Sequence, residues 1–264
     1  MTVRAGSLLR RHLGDRRFLL TLPRAVGLQV LHPVIATALV EHAPYRLWLH
    51  KRRTVSQMIY LAHSGRTADS VIRFAHEHVK GVDDRGLRYH ALHPEVFLFQ
   101  HATYVETLMT AAEVYGPALT ADERELLYQQ TCDWYRTYGV SGRDLPPTWS
   151  DFTDYFTEAC ATRLRRSPAA DELRDQVLRP DEWIVRHLPD GAVRALQHPR
   201  AVELFDIPRR PADAATLRAV AATVRTGFAL APSRIRRVSQ ARLPQREISE
   251  GPPAPRADDP CPVR

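Results

Sequence analysis

At 264 residues and 44% hydrophobic composition, the chain is long enough to bury the core of a single domain. Its net charge of +7 comes almost entirely from arginine, and no basic stripe interleaves with aromatic residues, so nucleic acid is not an expected partner. Three widely spaced cysteines give no support for a disulfide framework, a cysteine zinc site or a CxxCH haem attachment. No apolar run reaches about 18 residues, so we expect a cytoplasmic protein with no membrane span.

Apolar residues recur at helical spacing along most of the chain, and no segment alternates as a strand would. This pattern predicts an all-α fold with helices over residues 16–42, 45–63, 67–79, 94–113, 120–138, 148–164, 168–180 and 213–230. Residues 181–210 are predicted to be irregular, with one or two turns. We expect a basic leader over 1–13, one globular helical domain over 14–238, and a disordered, proline-rich tail over 239–264.

Prolines and caps divide the predicted helices. Pro23 and Pro33 should break residues 16–42 into two or three short helices, and His32, just before a proline, should lie at a break. Thr67 is the predicted cap of the helix that follows it.

Two further threonines are predicted caps. Thr120 and Glu123 fit a capping box, and Thr148 and Asp151 fit a weaker form of it. Thr148 therefore has a structural role that the sequence alone explains.

Two basic clusters lie in the first half of the chain. A basic cluster on a helix, such as residues 50–54 (HKRRT), most often forms a solvated face. The arginines could instead bind an anion or an oxygen ligand. His76 and His78 lie two residues apart on a predicted helix, so they should point to different faces.

His101 lies in the apolar stripe of the helix that begins near Pro94. An imidazole in that position is a core histidine bonded to another buried group, a catalytic base, or a ligand to a metal or haem iron.

The usual cofactor motifs are absent from the sequence. There is no ExxH pair for a di-iron bundle, no HExxH, no GxxxxGK[ST], no GxGxxG and no GxSxG. A b-type haem needs only one axial imidazole in a dry, helix-lined pocket. His101 is therefore a candidate haem ligand.

Several motifs occur together in a recognisable order: LQVLHP at 28–33, HPE and QHAT between 93 and 103, and LPPTW at 145–149. With matching stretches from 14 to 238, the sequence resembles the MpaB and rubber-oxygenase (latex-clearing protein) catalytic-domain family. The resemblance implies an all-helical fold that encloses a haem b pocket.

The resemblance also implies roles for individual residues. His101 matches the haem-iron ligand of that family, and Arg53 and Thr54 match its distal polar groups. Thr148 matches a threonine near the haem, and His32 matches a histidine whose role is structural. His50 stands where relatives commonly have arginine, so it is a candidate distal group or a second iron ligand.

The resemblance therefore predicts a haem b-dependent oxygenase that uses O2 to attack a small hydrophobic substrate, such as an isoprenoid or another alkene. A haem-binding protein without turnover, acting as a sensor, carrier or electron-transfer protein, is the first alternative. A cofactor-free helical interaction protein, with His101 as an ordinary core residue, is the second.

Overall fold

The computed structural model describes residues 7–43, 46–64 and 68–242, and its regular structure is almost entirely helical, which confirms the all-α prediction. The helices are α1 (Leu8–Leu13), α2 (Arg16–Leu31), α3 (Pro33–His42), α4 (Leu47–Ser64), α5 (Asp69–His76), α6 (Pro94–Tyr115), α7 (Ala121–Arg136), α8 (Trp149–Arg163), α9 (Pro168–Leu178), α10 (Asp190–Leu196), α11 (Pro199–Leu204), α12 (Pro211–Leu230) and α13 (Ser233–Arg236). Short 3₁₀ helices lie at Ile184–His187 and Ser239–Arg242.

Helices α2 and α6 form the centre of the fold and make its most extensive interhelical contact. Thirteen of the sixteen residues of α2 are buried, so this helix is surrounded by others on nearly every side, as its apolar composition requires. Its one internal proline, Pro23, does not break it, contrary to the prediction. Packing on all sides offsets the roughly 3 kcal/mol that a proline costs inside a helix.

His32 lies between α2 and α3, where the backbone is extended and the chain bends by 96°. The predicted break before Pro33 is therefore confirmed, and it turns α3 across the core. No single helix in the described ranges is long and apolar enough to span a membrane; α2 and α3 would pass that test only as a pair, across this bend.

Two segments differ from the sequence prediction. Residues 80–82 and 88–90 form an antiparallel hairpin, β1 (Lys80–Val82) and β2 (Arg88–His90), where the sequence pattern predicts the end of a helix and a loop. Each strand has only three residues, which is too short for an alternation pattern to be detected. Residues 184–204, predicted to be irregular, form three short helical segments.

The predicted leader is also partly wrong. Residues 8–13 of this segment form α1, and Leu9 and Leu13 are 0% and 1% exposed, so residues 7–13 pack within the domain. Residues 239–242, predicted as the start of the tail, form a 3₁₀ turn with Ala241 buried. The predicted tail from 243 to 264, and the predicted cap Thr67, lie outside the described residues.

The predicted capping boxes are both confirmed. The Thr120 side chain accepts a hydrogen bond from the Glu123 backbone at the start of α7, and the Glu123 side chain accepts one from the Thr120 backbone. Thr148 and Asp151 make the same reciprocal pair at the start of α8.

Candidate functional site

A cavity of about 390 Å³ lies among α3, α4, α5 and α6, and its volume falls within the range of small-molecule sites. Most of its walls are apolar. The main apolar side chains are Ile35 and Leu39 on α3, Met58 and Leu61 on α4, Val71 and Ile72 on α5, and Val96 and Phe97 on α6. The cavity can therefore hold an apolar molecule and keep much of it out of water.

His101 lies on α6 and lines this cavity. It is 4% exposed, and the apolar residues of its stripe, among them Phe97 and Val105, are buried with it, as the sequence predicts. The ring packs against Trp134 and Tyr135 of α7, with centroid distances of 4.9 and 5.0 Å. One side of the imidazole is thus held by aromatic rings, while the residue also borders open space.

Neither ring nitrogen of His101 has a hydrogen-bond partner among the described residues. Burial lowers the pKa of His101 to about 3; the backbone carbonyl of Thr131 opposes this shift but does not reach full hydrogen-bond geometry with either nitrogen. The imidazole is therefore neutral at physiological pH, which is the form that binds metals. The described structure lacks the buried partner that an ordinary core histidine would need.

Helix α4 supplies the polar part of the cavity, through His50, Lys51, Arg53 and Thr54. The prediction that residues 50–54 form a solvated face is wrong for Lys51, which is 2% exposed. Its ammonium donates a hydrogen bond to the Gln29 side-chain oxygen, with a nitrogen–oxygen distance of 2.7 Å. Burial lowers the pKa of Lys51 to about 7.

The predicted distal residues occupy a more open position. Arg53 and Thr54 line the cavity but are exposed, so they mark its opening to solvent. The Thr54 hydroxyl lies 3.1 Å from the His50 carbonyl oxygen and 3.3 Å from that of Lys51, and donates within its own helix. Its oxygen remains able to accept a hydrogen bond from a ligand.

Histidines complete the polar surface of the cavity. His42, His50, His76 and His78 all line it. His76 and His78 share this surface, contrary to the prediction from helical spacing, because α5 ends at His76 and His78 belongs to the turn that follows.

Two of these histidines have lowered pKa values. Burial, with the nearby charges of Lys51 and His76, lowers the pKa of His50 to about 3. The pKa of His76 is lowered as well, chiefly by burial. At neutral pH these two imidazoles are uncharged and can accept hydrogen bonds or bind a metal.

The other two predicted site residues lie away from this cavity. Thr148 is exposed and caps α8. His32 is 7% exposed, and its ring lies 5.1 Å from that of Phe99. Burial, followed by the charges of Arg163 and Arg165, lowers the pKa of His32 to about 4. The structure therefore brings His101, His50, Arg53 and Thr54 together and leaves Thr148 and His32 outside.

Sequence reasoning missed the role of Lys51 and its neighbours. Gln29 accepts from Lys51 and donates to the Thr103 hydroxyl at 2.7 Å, which in turn donates to the backbone carbonyl of Gln100 at 2.7 Å. One signal was available, since Lys51 and Lys80 are the only lysines among 37 basic residues. A lysine kept where arginine is the usual base suggests a site that needs a compact, single-point cation.

A family model described as "ER-bound oxygenase mpaB/B'/Rubber oxygenase, catalytic domain" matches residues 10–226. Comparisons with curated proteins and with solved structures give no match. The matched segment includes every residue of the cavity named above.

Proposed function

The chain belongs to the mpaB and rubber-oxygenase catalytic-domain family, and on this premise we propose that it is a haem b-dependent oxygenase acting on a hydrophobic substrate. The observation that carries the proposal is His101, a buried, uncharged imidazole with two unpartnered nitrogens beside a largely apolar cavity. A b-type haem requires such a side chain and such surroundings, so the residues present fit the group.

Two other roles for His101 have less support. A general base works best when its pKa lies near the working pH, and a pKa of about 3 makes His101 a poor proton acceptor. A structural histidine would satisfy its nitrogens with neighbouring groups, whereas the nearby Thr131 carbonyl does not reach full hydrogen-bond geometry with either nitrogen of His101. A ligand role uses the neutral form and accounts for the free lone pair.

The chain's own residues would have distinct tasks in this site. His101 would bind the haem iron, and Trp134 and Tyr135 would hold its ring in place. A bound haem would supply the redox chemistry with O2 that oxygenation needs. Lys51 would stabilise negative charge that develops inside the cavity, because a cationic donor acts strongly where water is excluded, and Arg53 would add positive charge at the opening to solvent.

The walls indicate the class of substrate. The family description names a rubber oxygenase, and an apolar, alkene-containing metabolite would suit the aliphatic surfaces of α3, α4 and α5. Substrate binding would be driven mainly by removal of this apolar surface from water.

The test is an absorbance spectrum of the full chain after haem reconstitution. We expect a Soret band for the natural protein and for His32→Ala, and none for His101→Ala. His32 is a matched control because it is similarly buried but lies away from the cavity. Circular dichroism would establish that both variants are folded. Full haem binding by folded His101→Ala would refute the proposal.

A haem-binding protein without turnover is the second candidate, and the position of His50 favours it. His50 lines the same cavity as His101 and is uncharged at neutral pH, so it would be available as a second ligand to a bound haem iron. A ferrous spectrum that does not change on addition of CO, but does change in His50→Ala, would support this candidate. A CO response in the natural protein would support the oxygenase.

A further inference from the structure

Lys51 is a buried cation without a buried anion. It is 2% exposed, and its one hydrogen bond among the described residues goes to the neutral Gln29 side chain. Fifteen ion pairs occur in the described part of the chain, and arginine or histidine supplies the cation in each of them. Buried charges are normally paired, because an unpaired ammonium is costly to remove from water.

The surrounding network holds Lys51 in place but does not neutralise it. Gln29, Thr103 and Gln100 form a chain of uncharged groups between α2 and α6, and each hydrogen bond in it is 2.7 Å long. An ammonium has three donors, and Gln29 accepts one of them. Two donors therefore remain for another acceptor.

The residues that line the cavity indicate the chemistry of that acceptor. None of the described residues that line the cavity is acidic, while Lys51, Arg53 and five histidines all line it. The remaining lining is mainly apolar. A complementary ligand would carry a negative group on an apolar body, so that its charge lies near α4 and its body lies against α3 and α5.

We propose that this cavity takes a ligand that carries a carboxylate on an apolar body, and that the Lys51 ammonium pairs with that carboxylate. One carboxylate matches the single positive charge of Lys51, and its oxygens can accept from the remaining donors, whereas a phosphate would bring more charge than this apolar site compensates. The carboxylate has two possible sources, namely the acid group of the substrate or a propionate of haem. The inference rests on the proposed function only in assuming that the same cavity is the ligand site.

The test compares two pairs of ligands on the full chain at pH 6. The first pair is dodecanoate and dodecan-1-ol, with binding followed by isothermal titration calorimetry. The second is haem and haem dimethyl ester, followed by the Soret band. In each pair the apolar body is retained and the negative charge of the carboxylate is removed.

Lys51→Met is the variant, and Lys80→Met is its matched control, because Lys80 is the other lysine of the chain and is exposed on β1. Lys51→Gln provides a second variant in case the first does not fold. We expect the natural protein and Lys80→Met to bind the carboxylate member of at least one pair about tenfold more tightly, and both Lys51 variants to lose that preference.

The two ligand pairs distinguish the two possible sources of the carboxylate. A Lys51-dependent preference for dodecanoate assigns the carboxylate to the substrate, and one for haem over its dimethyl ester assigns it to a propionate. No preference in the natural protein, or a preference that persists in both Lys51 variants, would overturn the inference. If haem does not bind but the dodecanoate preference depends on Lys51, the proposed haem function fails and this inference stands.

Discussion

Replacement of Lys51 by methionine should change how the stability of this protein depends on pH. The ordinary pKa of a lysine is 10.5, and burial lowers that of Lys51 to about 7. Between these values the unfolded chain carries the proton and the folded protein does not. Because the unfolded state binds the proton more tightly, the free energy of unfolding of the natural protein falls as the pH falls from about 10.5 to about 7.

The size of the effect follows from the displacement of the pKa. Each pKa unit corresponds to about 1.4 kcal/mol, so Lys51 destabilises the folded state by at most about 5 kcal/mol once the pH is below 7. Lys51→Met removes this cost but leaves the Gln29 side-chain oxygen without its donor, which costs about 1–3 kcal/mol at every pH. We therefore expect the variant to be more stable than the natural protein at pH 6 and less stable near pH 10.

Urea unfolding followed by far-ultraviolet circular dichroism at pH 6, 8 and 9.5 would measure this change, with both proteins in the same haem state and at one ionic strength. The quantity to compare is the difference between the variant and the natural protein, since tyrosines and histidines common to both largely cancel. Lys80→Met should give a difference that does not vary with pH, because Lys80 is exposed. If the difference for Lys51→Met does not vary with pH, the pKa of Lys51 is not lowered by burial and the prediction is wrong.

Three further changes test other parts of the structure by urea unfolding. Thr148→Ala should lower the free energy of unfolding by about 0.5–2 kcal/mol, through loss of the cap shared with Asp151, and should leave haem binding unchanged; loss of haem would instead place Thr148 at the cofactor. Leu9→Ala should cost about 2–5 kcal/mol, because Leu9 is fully buried in the segment predicted as a leader, and a cost near zero would mean that α1 is detached from the core. Arg24→Met should lower the free energy of unfolding by about 3 kcal/mol, because it removes the ion-pair partner of Glu106. The Glu106 side chain is 15% exposed and accepts hydrogen bonds from two guanidinium nitrogens of Arg24. A loss below about 1 kcal/mol would show that water replaces the pair.

Features that depend on neighbours within one helical turn could be predicted from the sequence. Thr120 and Thr148 cap their helices, and His32 lies at a break, because the residues responsible are at most three positions away. The burial of His101 also follows from local spacing, since the apolar positions that flank it repeat with the helical period.

The environment of Lys51 depends on contacts between segments that are far apart in the sequence. Its partner Gln29 is 22 residues away, and Gln29 is joined to Thr103 across 74 residues, so no local pattern distinguishes Lys51 from its exposed neighbours Arg52 and Arg53. The same holds for Pro23, which remains helical because the other helices surround α2. Local patterns in the sequence predict the long helices and the burial of His101. The cavity and its charge arose from the packing of α3, α4, α5 and α6, because a space between helices depends on how they are arranged and not on any one of them.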